Sequence, residues 1–267
     1  MESRVKAMKG DGIMFGRRAA LVLLAAALCS PVCRGEEDRA RRLFEDAIAA
    51  MGGDAFLGVK DIVSEGRYFT FDRYGASSGL IRFTDYTKLP DKSRFELGNR
   101  KKELEITVFN LERDEGWVLE GQKGTRDANA EEMKGFRAAA NHSLENIFRF
   151  RYRDPLNKLF YLGAGAGKDA SLDVVKLIDP ENDEILVYFD RASRLPVKLE
   201  TGRLNDRGLR ERLTSEFSRW HTIQGVNTPL RIDGTAGGRR AFQQFITKIT
   251  YNNGLQDEFF SRPEPPK

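Results

Sequence analysis

His142 and His221 are the only histidines in this 267-residue chain, so acid–base or metal chemistry would have to start from them. His142 lies between Asn141 and Ser143 in a helix-forming stretch, and His221 directly follows Trp220 at a strand end. Neither has a second ligand at the spacing a zinc site uses, and a site without thiolates would need carboxylates gathered from distant segments. Both are expected to be partly exposed surface residues. No serine lies in a G-x-S-x-G context, which a nucleophile elbow requires. The glycine-rich run Gly163–Asp169 (GAGAGKD) lacks the Ser/Thr of a phosphate loop, and a strand rather than a helix follows it, so it reads as a flexible connection. Glu36–Glu37 and Glu131–Glu132 fall near helix starts, where carboxylates offset the helix dipole. Arg100, Lys101 and Lys102 read as a hairpin corner. Arg149–Asp154 (RFRYRD) interleaves bases with aromatics, a pattern that also occurs in single-strand binders. Here it is expected to be a solvated face with packed aromatics; lipid headgroups or an acidic partner patch are the functional alternative. No catalytic residue, metal or cofactor is expected, and a hydrolase would need a site assembled from distant positions.

The first 35 residues decide the compartment and the charge. Arg17 and Arg18 precede an apolar run, Ala19–Leu28, and a breaker at Pro31. That is the layout of a secretory signal and is too short to span a bilayer. Translation from Met14 would make the leader ordinary in length; a buried helix or an uncleaved anchor is the alternative. Cys29 and Cys33 are the only cysteines, so the chain after residue 35 has no disulfide and no thiol chemistry. Residues 1–35 hold six basic and two acidic residues of the chain's 44 and 40, which leaves 38 of each. The formal charge of +4 therefore belongs to the leader, and no basic excess remains to drive nucleic-acid binding.

The elements that must position any site are mostly strands. Glu36–Ala50 has an apolar stripe of Leu43, Ala47 and Ala50 with Phe44 and Ile48 beside it, and Gly52–Gly53 end that helix. From Asp61 the periodicity changes to two. Strands are predicted at 61–73, 79–88, 92–97, 104–111, 115–120, 172–178, 184–189, 195–201, 210–220, 226–233 and 241–251, joined by short turns that favour an antiparallel meander. Asn129–Phe150 interrupts them with one amphipathic helix or two short ones, carrying Met133, Phe136, Ala140, Leu144 and Phe148 and capped by Asp127 or Asn129. The fold class is α+β and mainly β: a strongly curved, incomplete antiparallel barrel of about eleven strands, with helices over the open side. No linker composition interrupts 36–260, so residues 36–267 are expected to form a single domain, as a monomer.

Five stretches resemble the LolA/LolB-like superfamily of outer-membrane lipoprotein-sorting proteins. They are IAAMGGDAFLGVKDI (48–62), DEGWVLEG (114–121), LVYFDRASRLPVKLE (186–200), EFSRWHTIQGVNTPLRI (216–232) and ITKITYNNGLQDEFFSRP (246–263). Each motif is weak alone; their order covers the chain from about Leu43 to Ser261. The resemblance implies a bent half-barrel plugged by helices, with an apolar interior that takes acyl chains of lipids or lipoproteins in the periplasm. It also implies an arginine on the first long strand that holds the lid, for which Arg67 is the positional match. Aromatic bulk agrees with an acyl-binding hollow, since each buried methylene contributes about 0.8 kcal/mol. The expected cavity residues are Phe69, Phe71, Phe83, Phe95, Phe109 and Trp117 on the sheet. Met133, Phe136, Leu144 and Phe148 are expected on a lid helix that moves for loading. A non-catalytic sensor or docking module that contacts an envelope membrane protein through the same fold is the competing reading.

Overall fold

The computed structural model describes residues 31–204 and 210–262. The leader expected over 1–35 lies outside the described residues apart from its last five. There the first helix, α1 (Pro31–Ala50), already begins, five residues before the predicted start. A short helix α2 (Asp54–Leu57) follows the Gly52–Gly53 stop.

Thirteen strands then form one antiparallel sheet: β1 (Asp61–Thr70), β2 (Ile81–Lys88), β3 (Lys92–Leu97), β4 (Glu105–Asn110), β5 (Glu115–Glu120), β6 (Thr125–Asp127), β7 (Lys158–Ala164), β8 (Leu172–Ile178), β9 (Glu184–Asp190), β10 (Pro196–Leu204), β11 (Arg210–Ile223), β12 (Val226–Ala236) and β13 (Arg239–Tyr251). Their spatial order is β6-β5-β4-β3-β2-β1-β13-β12-β11-β10-β9-β8-β7. The sheet is curved and not closed into a barrel. Two meanders are joined where the first and last strands pair, Ile62 opposite Tyr251. Sequence reading counted eleven of these strands; β6 and β7, the two it missed, are the sheet's edges.

This order dictates where the helices go. The chain leaves the sheet at one edge, β6, and re-enters at the other, β7, so the segment between them must cross the open side. That segment holds α3 (Ala130–Asn141) and α4 (Leu144–Arg149). Asn129 caps α3 with a full capping box: its side chain accepts from Glu132 N, and the Glu132 carboxylate accepts from Asn129 N. Ser143 caps α4 by accepting from Asn146 N. The amphipathic stretch is therefore two helices, broken at His142–Ser143. The glycine run is not a free loop: its start completes β7, and Gly167–Asp169 forms a 3-10 turn whose Asp169 pairs with Lys198.

The main core fills one half of the inner face. Leu43, Phe44, Ala47 and Ile48 of α1, with Met51 just past its end, pack with Leu159, Val175, Leu177, Ile185, Val187, Phe189, Leu199 and Phe217 of strands β7–β11. Leu144, Ile147 and Phe148 of α4 and Phe56 of α2 belong to the same cluster. Phe44 lies 5.0 Å from Phe148 and 5.1 Å from Tyr152, ring centre to ring centre. A second, smaller core sits on the outer face of β4 and β5: Ile106, Val108 and Trp117, covered by Phe260 with Phe259 and Leu255 beside it. The covering tail is held by Asp61, a buried carboxylate that accepts hydrogen bonds from Asn253 N, Asn253 Nδ2, Gly254 N and Leu255 N.

Candidate functional site

The half of the inner face that α1 and α4 leave uncovered belongs to β1–β5 and the start of β13. Strand register fixes which side chains share it. Gly66 pairs with Phe83 and Phe83 with Leu97; Ser64 pairs with Asp85, Asp85 with Phe95 and Phe95 with Thr107; Ser93 pairs with Phe109. Tyr68, two residues beyond Gly66, joins the same row, and Thr70 brings in Phe242 of β13. The result is a ring cluster: Tyr68–Phe83 at 6.4 Å, Tyr68–Phe95 at 5.9 Å, Phe83–Phe95 at 5.8 Å and Tyr68–Phe242 at 5.5 Å. Phe83 forms the floor at 3% exposure, whereas Tyr68, Phe95 and Phe242 stay half-buried. Two glycines let the rings lie flat on the sheet. A Cβ at Gly66 would come within 2.7 Å of the Phe83 ring, and one at Gly234 within 2.1 Å of the Phe242 ring.

One carboxyl sits in this apolar hollow. Asp85 has Phe83 two positions away on its own strand, Phe95 on one side and Ser64 on the other. Burial pushes it up to about 7, only partly offset by a hydrogen bond from the Thr87 side chain. Burial likewise raises the Tyr68 phenol, which is neutral at physiological pH. Sequence reasoning passed over Asp85, although its signal was legible: an acid inside the alternating row Ile81, Phe83, Asp85, Thr87.

The same register separates the predicted cavity residues. Phe83, Phe95 and Phe109 face inward. Trp117 does not: it pairs with Val108, one position out of phase with Phe109, and belongs to the outer core under Phe260. Phe69 is out of phase with Tyr68 and meets Phe245, and Phe71 continues that outer row with Arg240 above its ring. Arg67 also points outward, opposite Arg82 and Phe245. It therefore lies on the side of the sheet away from the helices, which corrects the expectation that it holds a lid. In each case the period of two fixed relative facing within a strand, while the choice of inner face came from cross-strand register.

The predicted lid divides as well. Leu144 and Phe148 are on α4, at 8% and 0% exposure, inside the main core. Asn146 Nδ2 donates to Pro90 O at 2.7 Å, and Arg149 Nε donates to Phe56 O at 3.2 Å while its guanidinium lies 3.7 Å above the Phe56 ring. Burial pulls the Arg149 guanidinium down to about 10; it is not part of a solvated face. These bonds pin α4. Helix α3 has no buried residue. Phe136 stacks on Phe109 at 4.0 Å, and the Met133 Sδ lies 2.7 Å from where a Cβ on Gly116 would be. Exposed ion pairs, Arg126–Glu132 and Arg137–Asp114, steady its two ends. Pairs of this kind contribute at most about 1 kcal/mol.

His142, at the α3–α4 break, is partly buried and is not without partners. Its Nε2 lies 3.5 Å from Asp179 Oδ2 and 3.8 Å from Asp183 Oδ2, in the β8–β9 turn. Arg151 Nη2 is 3.2 Å from the same Asp179 oxygen, so a metal ion there would meet a guanidinium already in place. The group ties the end of α3 to the opposite meander.

No family model and no curated protein sequence matches the chain. Solved structures do. A LolA superfamily protein from Nitrosomonas europaea superposes with a TM-score of 0.55 at 14% identity, over 84% of this chain and 97% of that one. The fold is LolA-like. A putative outer membrane lipoprotein-sorting protein domain from Vibrio parahaemolyticus gives 0.52 at 12% identity, over 84% and 97%. A DUF1329 family protein from Desulfovibrio piger gives 0.56 at 13%, over 83% and 97%. At such identities the likeness extends to the LolA-like backbone and to no particular side chain. The aromatic hollow, Asp85 and the α3 cover are therefore features of this chain's own residues.

Proposed function

We propose that this protein is a periplasmic, non-enzymatic carrier that holds an acyl chain in the half-open inner face, with α3 as its movable cover. The observation that carries the reading is the contrast between the two halves of one sheet. Helices α1 and α4 seal β7–β11 with fully buried rings, whereas β1–β5 and the start of β13 present Tyr68, Phe95 and Phe242 half-buried, and α3, which packs on Phe109 and Gly116 nearby, has no buried residue. An acyl chain lying on those rings would bury roughly 0.8 kcal/mol per methylene, so ten methylenes outweigh the contacts that α3 gives up in moving. The LolA-like fold, and the lipoprotein-sorting description attached to one of its structural neighbours, support the same class of cargo. Titration with a fluorescent fatty alcohol, whose head group carries no charge, tests the proposal. Uptake by the wild type and at least tenfold weaker uptake by Phe95→Asp at an unchanged melting temperature is the expected result. No saturable uptake by the wild type would refute it.

A second reading rests on the edge strand β7. Its outward row, Phe160 and Leu162, continues from Leu156 and leaves large apolar side chains 38%, 50% and 68% exposed beside unpaired backbone groups. Such an edge suits an extended segment of an envelope protein that adds a strand. A Leu162→Lys variant that keeps acyl uptake while losing a partner in cross-linking would favour this role.

A further inference from the structure

We propose that the cargo is an acyl amphiphile with an amine head, and that Asp85, flanked by the rings of Tyr68, Phe83 and Phe95, receives the ammonium group. This rests on the carrier reading and names its ligand more narrowly.

Three observations meet at one place. The first is a carboxyl without a cation. Among the described residues no lysine, arginine or histidine pairs with Asp85. The neighbouring bases are turned away: Arg67 and Arg82 alternate to the outer face, Lys88 pairs with Asp257 at 2.6 Å, and Arg94 pairs with Glu96 at 2.7 Å. The second is the ring geometry. Phe95 lies directly across the strand pair from Asp85, Phe83 lies two residues back on the same face, and Tyr68 touches both rings. Ring faces carry negative potential, so they disfavour a bare carboxylate and attract an ammonium ion. The third is access. Asp85 is only partly buried, and so are the rings of Tyr68 and Phe95 beside it.

A bound ammonium supplies what the fold withholds. It neutralises the carboxylate at close range in a setting of low dielectric, and it offers a positive face to the rings. The alkyl chain of the same molecule then lies along the apolar row toward Leu97 and Phe242. An anionic amphiphile meets the opposite conditions above pH 7, where Asp85 is ionised. Of the other groups on the inner face, Glu105 stands at the far end of its row from Asp85, and Arg126 is engaged by Glu120 and Glu132 rather than by Asp85. Ser64 and Thr87 are the polar neighbours left to orient the head group.

The test uses three probes with twelve-carbon tails, each below its micelle concentration: dodecyltrimethylammonium, dodecanol and dodecanoate. Each is titrated by calorimetry into the wild type and Asp85→Asn at pH 8, with thermal melts to check that both are folded. The expected result is that the cation binds roughly tenfold or more tightly than the alcohol in the wild type, and that the ratio falls to about one in Asp85→Asn with the alcohol's affinity unchanged. A second variant, Phe95→Leu, keeps the apolar surface and is expected to lose part of the same ratio. Equal affinity for cation and alcohol, preference for dodecanoate, or a ratio unchanged by Asp85→Asn would overturn the amine assignment while leaving the carrier reading in place. Failure of all three probes to bind would overturn both.

Discussion

Asp85→Asn should make this protein more stable, by an amount that grows as pH rises from about 4 to about 7 and is complete above neutral pH. An ordinary aspartate titrates near 3.8, whereas burial against Phe83 and Phe95 pushes Asp85 up to about 7 in the folded state. The folded protein therefore favours the protonated carboxyl. Stability from this source is fully present below the unfolded value and is lost as pH rises through the folded one. The difference of about three powers of ten in acidity corresponds to a ceiling of about 4 kcal/mol. The residue as a whole is only partly buried, so about half of that, ~2 kcal/mol, is the expected effect. Asparagine has the same shape and no charge, and it removes this cost. Urea unfolding of both proteins, followed by the fluorescence of Trp117 and Trp220, reads the difference directly. At pH 8 the variant should be more stable by about 2 kcal/mol, and at pH 4.5 the gap should shrink below about 1 kcal/mol. A gap that is the same at both pH values, or a variant less stable at pH 8, would refute the placement of Asp85 in an apolar hollow. Stability given up at a single carboxyl is what a binding site, rather than a packing residue, would show.

Three further substitutions separate the fixed helix from the movable one and the tail from the sheet. Phe148→Ala in α4 should cost about 3–5 kcal/mol, because the ring is fully buried against Phe44 and Phe189, whereas Phe136→Ala in α3 should cost under about 2 kcal/mol; paired urea melts distinguish them. Asp61→Ala should cost about 2–3 kcal/mol and loosen the Leu255–Phe260 tail, read as faster amide exchange there. Although burial alone would raise the Asp61 carboxyl, its bonds from Asn253, Leu255 and Gly254 hold it below the usual range. The wild type's advantage over this variant is therefore present above about pH 4 and fades as pH falls below it.

Much of the backbone was legible in the sequence, because most strands carry a period of two bounded by Gly, Asn or Asp. The two that escaped, β6 and β7, have one neighbour each. Thr125–Asp127 is exposed throughout and has no apolar row to read. The inner face was less legible. Trp117 and Phe69 are as apolar as Phe109 and Tyr68, and only the pairing of each strand with the next shows which row meets the helices. The stripe of α1 was visible as Leu43, Phe44, Ala47 and Ile48, but its target was not. Its seat on β7–β11 turned half of the expected hollow into solid core and took Leu144 and Phe148 with it. The partners of His142 were not legible because Asp179 and Asp183 lie 37 and 41 residues further along and reach it only through the fold. Asp85 was passed over for the opposite reason: its neighbours are local, but its meaning depends on no cation being turned toward it.

The central claim is that the uncovered half of the sheet carries an amphiphile. Native mass spectrometry of the full-length protein purified from cells, without detergent, tests it most directly. A population heavier than the polypeptide by the mass of one acyl amphiphile, lost in Phe95→Asp, is the predicted result. A polypeptide that carries no such mass and takes up no fluorescent fatty alcohol afterwards would contradict it.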